Sequence, residues 1–131
     1  MTNEEKQLLL TDLCARLLYG VKVKIFDKSI LLFDSENGTL DGKETMSDDY
    51  FVIKCKRDSW IISCEDFKPF LRPMSSMTEE ERVQYEGTFQ YYGAVWSLES
   101  LDWLNSHHFD YRGLIPMGLA LEATEGMYKT E

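Results

Sequence analysis

The chain has 131 residues, of which 44% are hydrophobic and 28% charged, with a formal net charge of −9. This length suits one domain spanning 1–131 around one core, and the composition excludes a disordered chain. The acidity argues against direct nucleic-acid binding, which draws most of its affinity from clustered Lys and Arg against phosphate.

The charge is unevenly placed. Residues 1–33 sum to +1, 34–49 to −5, 50–77 to +2 and 78–131 to −7. The acid could serve as a docking face for a basic partner, imitate nucleic-acid charge, or simply keep the chain soluble. Aromatic residues, 13% of the chain, suit a compact core or a flat contact surface.

Thr2-Asn3-Glu4-Glu5 reads as a capping box, with Thr2 as N-cap and Glu5 three residues on. Leu9, Leu10, Leu13, Cys14 and Leu17 follow at helical spacing, so a helix is expected at about 3–18, with Gly20 as its stop. The period then switches to two. Val21, Val23 and Ile25 alternate with Lys22 and Lys24, which predicts a half-buried strand at about 21–26. Ser29-Ile30-Leu31-Leu32-Phe33 reads as a second strand at about 29–34, after a tight turn at Asp27-Lys28. The acidic stretch 34–49, with Gly38 and Gly42, reads as an exposed loop.

Strands at about 50–56 and 59–65 form the clearest hairpin. A turn centred on Arg57-Asp58 would set Cys55 opposite Trp60, Ile53 opposite Ile62 and Phe51 opposite Cys64, all on one face. Cys55 and Cys64 would then lie roughly 13 Å apart along the ladder, too far for a disulfide. They read as small core residues. Three cysteines without C-x-x-C spacing, and an opening MTNEEKQLLL unlike a secretory signal, point to a cytoplasmic location. No apolar run has the length of a membrane span.

Pro69 and Pro73 take the segment after the hairpin out of the sheet, since proline suits neither a helix interior nor a central strand. Thr78-Glu79-Glu80-Glu81 is a second capping box and predicts a helix at about 79–86, ending at Gly87. Aromatic and β-branched content favours a fifth strand within 88–96. Ser97 caps a further helix over 98–107, and the tail 114–123, broken by Pro116 and Gly118, suits a short helix or turn. The expected fold class is α+β: an N-terminal helix, a small antiparallel sheet of four or five strands, and two or three helices in the C-terminal half.

The densest polar cluster is Asp102, Asn105, His107, His108, Asp110, Tyr111 and Arg112. Histidine near aspartate could supply a general base or a metal ligand. Adjacent histidines on a helix point about 100° apart, however, and cannot chelate as an i, i+4 pair does. No metal and no cofactor are expected. The structural alternative is a helix C-terminus, where histidines bond the last carbonyls. Arg112 could grip a carboxylate or phosphate, or pair with Asp102 or Asp110 to pin a chain turn. The candidate ligand contacts are Arg72, His107, His108, Asp110, Tyr111 and Arg112. Walker, dinucleotide, zincin and nucleophile-elbow motifs are absent.

The stretches KPFLRPMSSMTEEE (68–81) and DWLNSHHFDYRGLIPMGLALEA (102–123), with LLLTDLCARLLYGV (8–21), resemble an uncharacterised family of short proteins from gut Bacteroidales genomes and their phages. That family often has proline where this chain has Leu18 and Thr124. The resemblance implies a phage or mobile-element setting and carries no activity, substrate or catalytic residue.

Three functions are therefore expected, in decreasing order. The first is a non-enzymatic binding or interaction protein with a protein partner. The second is a protein that binds a small nucleotide or other anion through Arg112 and the strand lysines. The third is a small hydrolase-type enzyme using His107, His108, Asp102 and Asp110.

Overall fold

The structure, a computed structural model, describes residues 1–89 and 97–128. The fold is α+β. Helix α1 (Asn3–Ala15) leads into strand β1 (Lys22–Ile25), the short helix α2 (Lys28–Leu31), and strands β2 (Asn37–Lys43), β3 (Tyr50–Lys54), β4 (Ser59–Ser63) and β5 (Phe67–Leu71). A 3-10 turn (Met74–Ser76), helices α3 (Glu79–Glu86) and α4 (Leu98–Ser106), and strand β6 (Leu121–Glu122) complete it. The strands form one sheet in the order β4-β3-β2-β1-β5-β6. All neighbours are antiparallel except β5 and β6, which run parallel.

Helix α1 begins as its capping box dictates: Glu5 N–H donates to Thr2 Oγ1, and Thr2 N–H donates to Glu5 Oε1. Leu9, Leu10 and Leu13 press onto the sheet, joining Val21, Val23, Ile25, Leu40, Phe51, Ile53, Ile62, Phe67 and Leu71 in the main core. A smaller core of Tyr85, Leu104 and Phe109 lies between α3, α4 and the loop after α4. The helix proper ends at Ala15, and Gly20, at φ +66°, turns the chain into β1.

The expected strand at 29–34 is instead helical. Asp27 caps it, its carboxylate accepting from Ser29 N–H (2.9 Å) and Ser29 Oγ–H (2.6 Å). Only Ile30 of this segment is buried, which leaves Leu31, Leu32 and Phe33 exposed. The place beside β1 goes to β2, within the stretch expected to be a loop. Its sequence, NGTLDGK, has one large apolar residue, Leu40, so alternation was not legible there. Gly38 explains the fit: a Cβ at this position would lie 2.6 Å from Ile53 Cγ2 and 3.1 Å from the Lys54 carbonyl oxygen. Gly38→Ala is accordingly expected to lower stability by about 1–3 kcal/mol, the usual cost of overpacking. Chemical denaturation checks this, and an unchanged midpoint would show that Ile53 yields freely.

The β3–β4 hairpin forms with a register two residues from the expected one: Ile53 faces Trp60 and Phe51 faces Ile62. A shift of two preserves side-chain parity, so Phe51, Ile53, Ile62 and Cys64 still share the buried face. The shift follows from a turn held from outside. Asp34 accepts from Arg57 N–H, Asp58 N–H and Trp60 Nε1–H at 2.9–3.2 Å. Desolvation alone would raise its pKa, but these donors, with Ser35 N–H, hold it down at about 2. All three cysteines are free.

Pro69, expected to leave the sheet, sits inside β5. It faces Val23, between the hydrogen-bonded Lys24/Lys68 rung and the next, so no N–H is called for toward β1. Toward β6, pairing starts only at Phe70. The helices at 79–86 and 98–106 stand where expected. The fifth-strand expectation at 88–96 falls almost wholly outside the described residues. The tail turns through 114–120 and then adds β6. Beyond it, Tyr128 Oη accepts from Lys22 N–H and donates to the Phe70 carbonyl, both at 2.7 Å, closing the sheet above β1 and β5.

Candidate functional site

The expected cluster at 102–112 forms a polar junction between α1, the end of β5 and the loop after α4. Helix α4 ends at Ser106 with His107 as its C-cap, and His108 follows in the left-handed region at φ 65°. The chain reverses there and returns alongside Arg72. Arg72 N–H donates to the His108 carbonyl and Asp110 N–H donates to the Arg72 carbonyl, each at 2.8 Å.

The two histidines do not converge. The His107 ring stacks on Trp103 at 4.0 Å, and its Nδ1 lies 2.9 Å from the Trp103 carbonyl oxygen and 3.1 Å from Ser106 Oγ, so the ring is held against its own helix. The His108 ring is buried and stacks on Tyr128 at 3.7 Å, with no hydrogen-bond partner for Nδ1 among the described residues. Burial chiefly, then the charges of Arg16, His107, Arg72 and Lys22, lowers the His108 pKa to about 4. Burial also raises the Tyr128 hydroxyl above the usual tyrosine value. His108 is thus a neutral ring at pH 7.

The other candidates are held in structural pairs. Arg72 grips Glu81 through two 2.7 Å bonds and lies over the Phe109 ring at 4.2 Å. The Arg72 bond, outweighing desolvation, holds Glu81 down at about 2. Glu81 is also the capping-box acid of α3, accepting from Thr78 N–H. The Asp110 carboxylate accepts from Leu114 N–H (2.8 Å) and Ile115 N–H (2.9 Å), and so caps the following turn. Tyr111 Oη–H donates to Asn105 Oδ1 at 2.9 Å. Asp102 is exposed and stands apart from these.

Arg112 pairs with neither Asp102 nor Asp110. Its Nε donates to Asp12 Oδ1 at 3.1 Å, across 100 residues of chain. Asp12 also holds Arg16, through bonds of 2.8 and 3.1 Å, and both side chains are fully buried. Arg16 Nη2 further donates to the Phe109 carbonyl at 2.6 Å, and its guanidinium lies 5.2 Å from the centre of the Tyr111 ring. Sequence reasoning missed this Asp12–Arg16 centre. The signal was present: Leu9, Asp12, Leu13 and Arg16 lie on one helical face, so an acid and a base interrupt the apolar stripe at i, i+4 spacing. The arrangement ties three elements together, and among the described residues no group of His, Cys, Asp or Glu is placed to share a metal ion.

Among the described residues, two open surfaces away from this junction differ in chemistry. One is the apolar run of α2 and the residue pair after it, with Leu32 79% and Phe33 63% exposed. The other is the sheet face opposite α1, where a cleft of about 860 Å³ is lined by Lys22, Thr39, Lys54, Lys56, Phe70 and Met127, among others. Among the described residues no helix is long and apolar enough to cross a membrane. No protein-family model, curated protein or solved structure matches this chain.

Proposed function

We propose that this chain is a non-enzymatic interaction protein that engages a protein partner through Leu31, Leu32 and Phe33. One observation carries this reading: three consecutive large apolar side chains are exposed while only Ile30 before them anchors in the core. A run of exposed apolar residues is unfavourable in water and is kept in natural proteins where a partner covers it. The polar cluster supports the same reading, because Arg72, Asp110 and Arg112 are engaged in holding the fold together. A phage or mobile-element setting and a cytoplasmic location belong to the proposal. The three free thiols, one of them exposed, favour a reducing compartment.

The test compares wild type with the double variant Leu32→Asp/Phe33→Asp, which leaves Ile30 in place. Wild-type protein should retain a partner that, once purified, re-forms the complex, and the variant should bind it at least tenfold more weakly. Wild type that stays monomeric and binds nothing the variant fails to bind would overturn the proposal.

A further inference from the structure

The chain is strongly acidic, yet one face of its sheet is basic. Strand parity puts Val23, Ile25, Leu40, Phe51, Ile53 and Leu71 against α1, and turns Lys22, Lys24, Thr39, Lys54, Lys68 and Phe70 to the other side. Among the described residues of those strands, none on this second face is buried. The register gathers the cations. Lys22 faces Thr39, and Thr39 faces Lys54, so two lysines flank one threonine on a single rung. On the next rung Lys24 lies between Asn37 and Lys68. Lys22, Asn37, Thr39 and Lys54 line the cleft on this face, Lys56 adds a further cation to it, and Lys24 and Lys68 stand on the same face beyond its lining.

These lysines are not neutralised from within. Among the described residues none of the five makes an ion pair. Lys22 Nζ donates to the Met127 carbonyl at 2.7 Å and lies 5.7 Å from the centre of the Tyr128 ring, contacts that leave its charge in place. They also hold the segment carrying Thr124 and Met127, which walls the cleft. Lys24 and Lys68 both lie over the Phe26 ring. Against Lys22, Lys54 and Lys56, the cleft lining holds one carboxylate among the described residues, Asp41. Five like charges on one face repel one another, and a multiply charged anion relieves that repulsion.

We propose that this cleft binds a small molecule carrying a chain of two or more phosphate groups. Lysine ammonium groups on flexible stems are suited to phosphate oxygens as point charges. Their roots stand roughly 7 Å apart along a strand and roughly 10 Å apart across two, so several can reach one polyphosphate at once. Thr39 and Asn37 supply neutral hydrogen-bonding groups between them. The volume of about 860 Å³ falls in the range of small-molecule sites. Net charge selects size. A small anion lies within the basic face, whereas a longer polyanion extends beyond a Debye length of about 8 Å and meets the field of a chain at −9. This site uses different residues from the apolar run of α2 and stands independently of it.

The test is calorimetric titration of the full chain with sodium triphosphate, orthophosphate and a twelve-nucleotide single strand. One-to-one binding of triphosphate is expected, at least tenfold tighter than orthophosphate. Lys54→Gln/Lys56→Gln, both exposed positions, should weaken it at least tenfold. Lys28→Gln, on α2, should leave it unchanged, as should Leu32→Asp/Phe33→Asp. The proposal fails if triphosphate gives no saturable binding, if Lys28→Gln weakens it as much as the double variant, or if the oligonucleotide binds more tightly than triphosphate.

Discussion

Asp12→Ala is expected to destabilise the protein by about 3–5 kcal/mol, because it strands a fully buried guanidinium. Arg16 would keep the Phe109 carbonyl and the Tyr111 ring, and neither carries the opposing charge. Arg112 would lose its carboxylate at the same time, loosening the loop after α4 from α1. Truncating one partner differs from replacing both with apolar groups. Asp12→Leu/Arg16→Met removes the stranded charge, so it should recover much of the loss, although Arg112 still loses its partner. Urea unfolding followed by circular dichroism measures both. A cost for Asp12→Ala below about 1 kcal/mol would show that water reaches Arg16 and that the pair is not a buried one.

Stability should also fall between pH 7 and pH 5 by about 2 kcal/mol through His108 alone. The folded protein holds this ring at a pKa of about 4, against an ordinary value of 6.5. In that window the unfolded chain binds a proton that the folded chain refuses, so stability rises with pH and is lost as pH drops. Protonation would set a cation among Arg16, Arg72, Lys22 and His107, against the stacked ring of Tyr128. Glu81 acts lower down. The stability it supplies is present above its unfolded value of 4.5 and disappears as pH falls toward about 2. His108→Asn separates the two, since asparagine tolerates the left-handed backbone at this position. The variant should show a drop between pH 7 and 5 that is smaller by about 2 kcal/mol. An equal drop in both proteins would mean that His108 takes up its proton in the folded state as easily as in the unfolded one.

Both effects concern the junction that holds the C-terminal half to α1, and this shapes the functional reading. Histidine, aspartate and arginine crowded at 102–112 suggested a reactive or ligand-binding cluster. The folded chain spends Asp110 on two backbone N–H groups, Arg72 on Glu81 and Arg112 on Asp12. Among the described residues, the apolar run at 31–33 and the lysine face of the sheet lie outside that junction and are open to solvent.

The sequence by itself determined what depends on neighbouring residues. The capping boxes at Thr2 and Thr78 and the cap at Ser97 sit at the helix starts they predicted, because a cap is a bond between residues three apart. The inward face of β1 and the shared face of Phe51, Ile53, Ile62 and Cys64 were legible from alternation, which survives a register shift of two. Tertiary structure decided the rest. NGTLDGK becomes a strand because it fits between β1 and β3 where Gly38 leaves room for Ile53, although its own composition disfavours one. Ser29 to Phe33 is helical because Asp27 caps it and the place beside β1 is taken. Arg112 meets Asp12 across 100 residues, a partnership no spacing rule reaches. The lysine face has the same origin: Lys22 and Lys54 alternate visibly along their own strands, Lys68 lies in a segment expected outside the sheet, and only the order of the strands sets the three side by side.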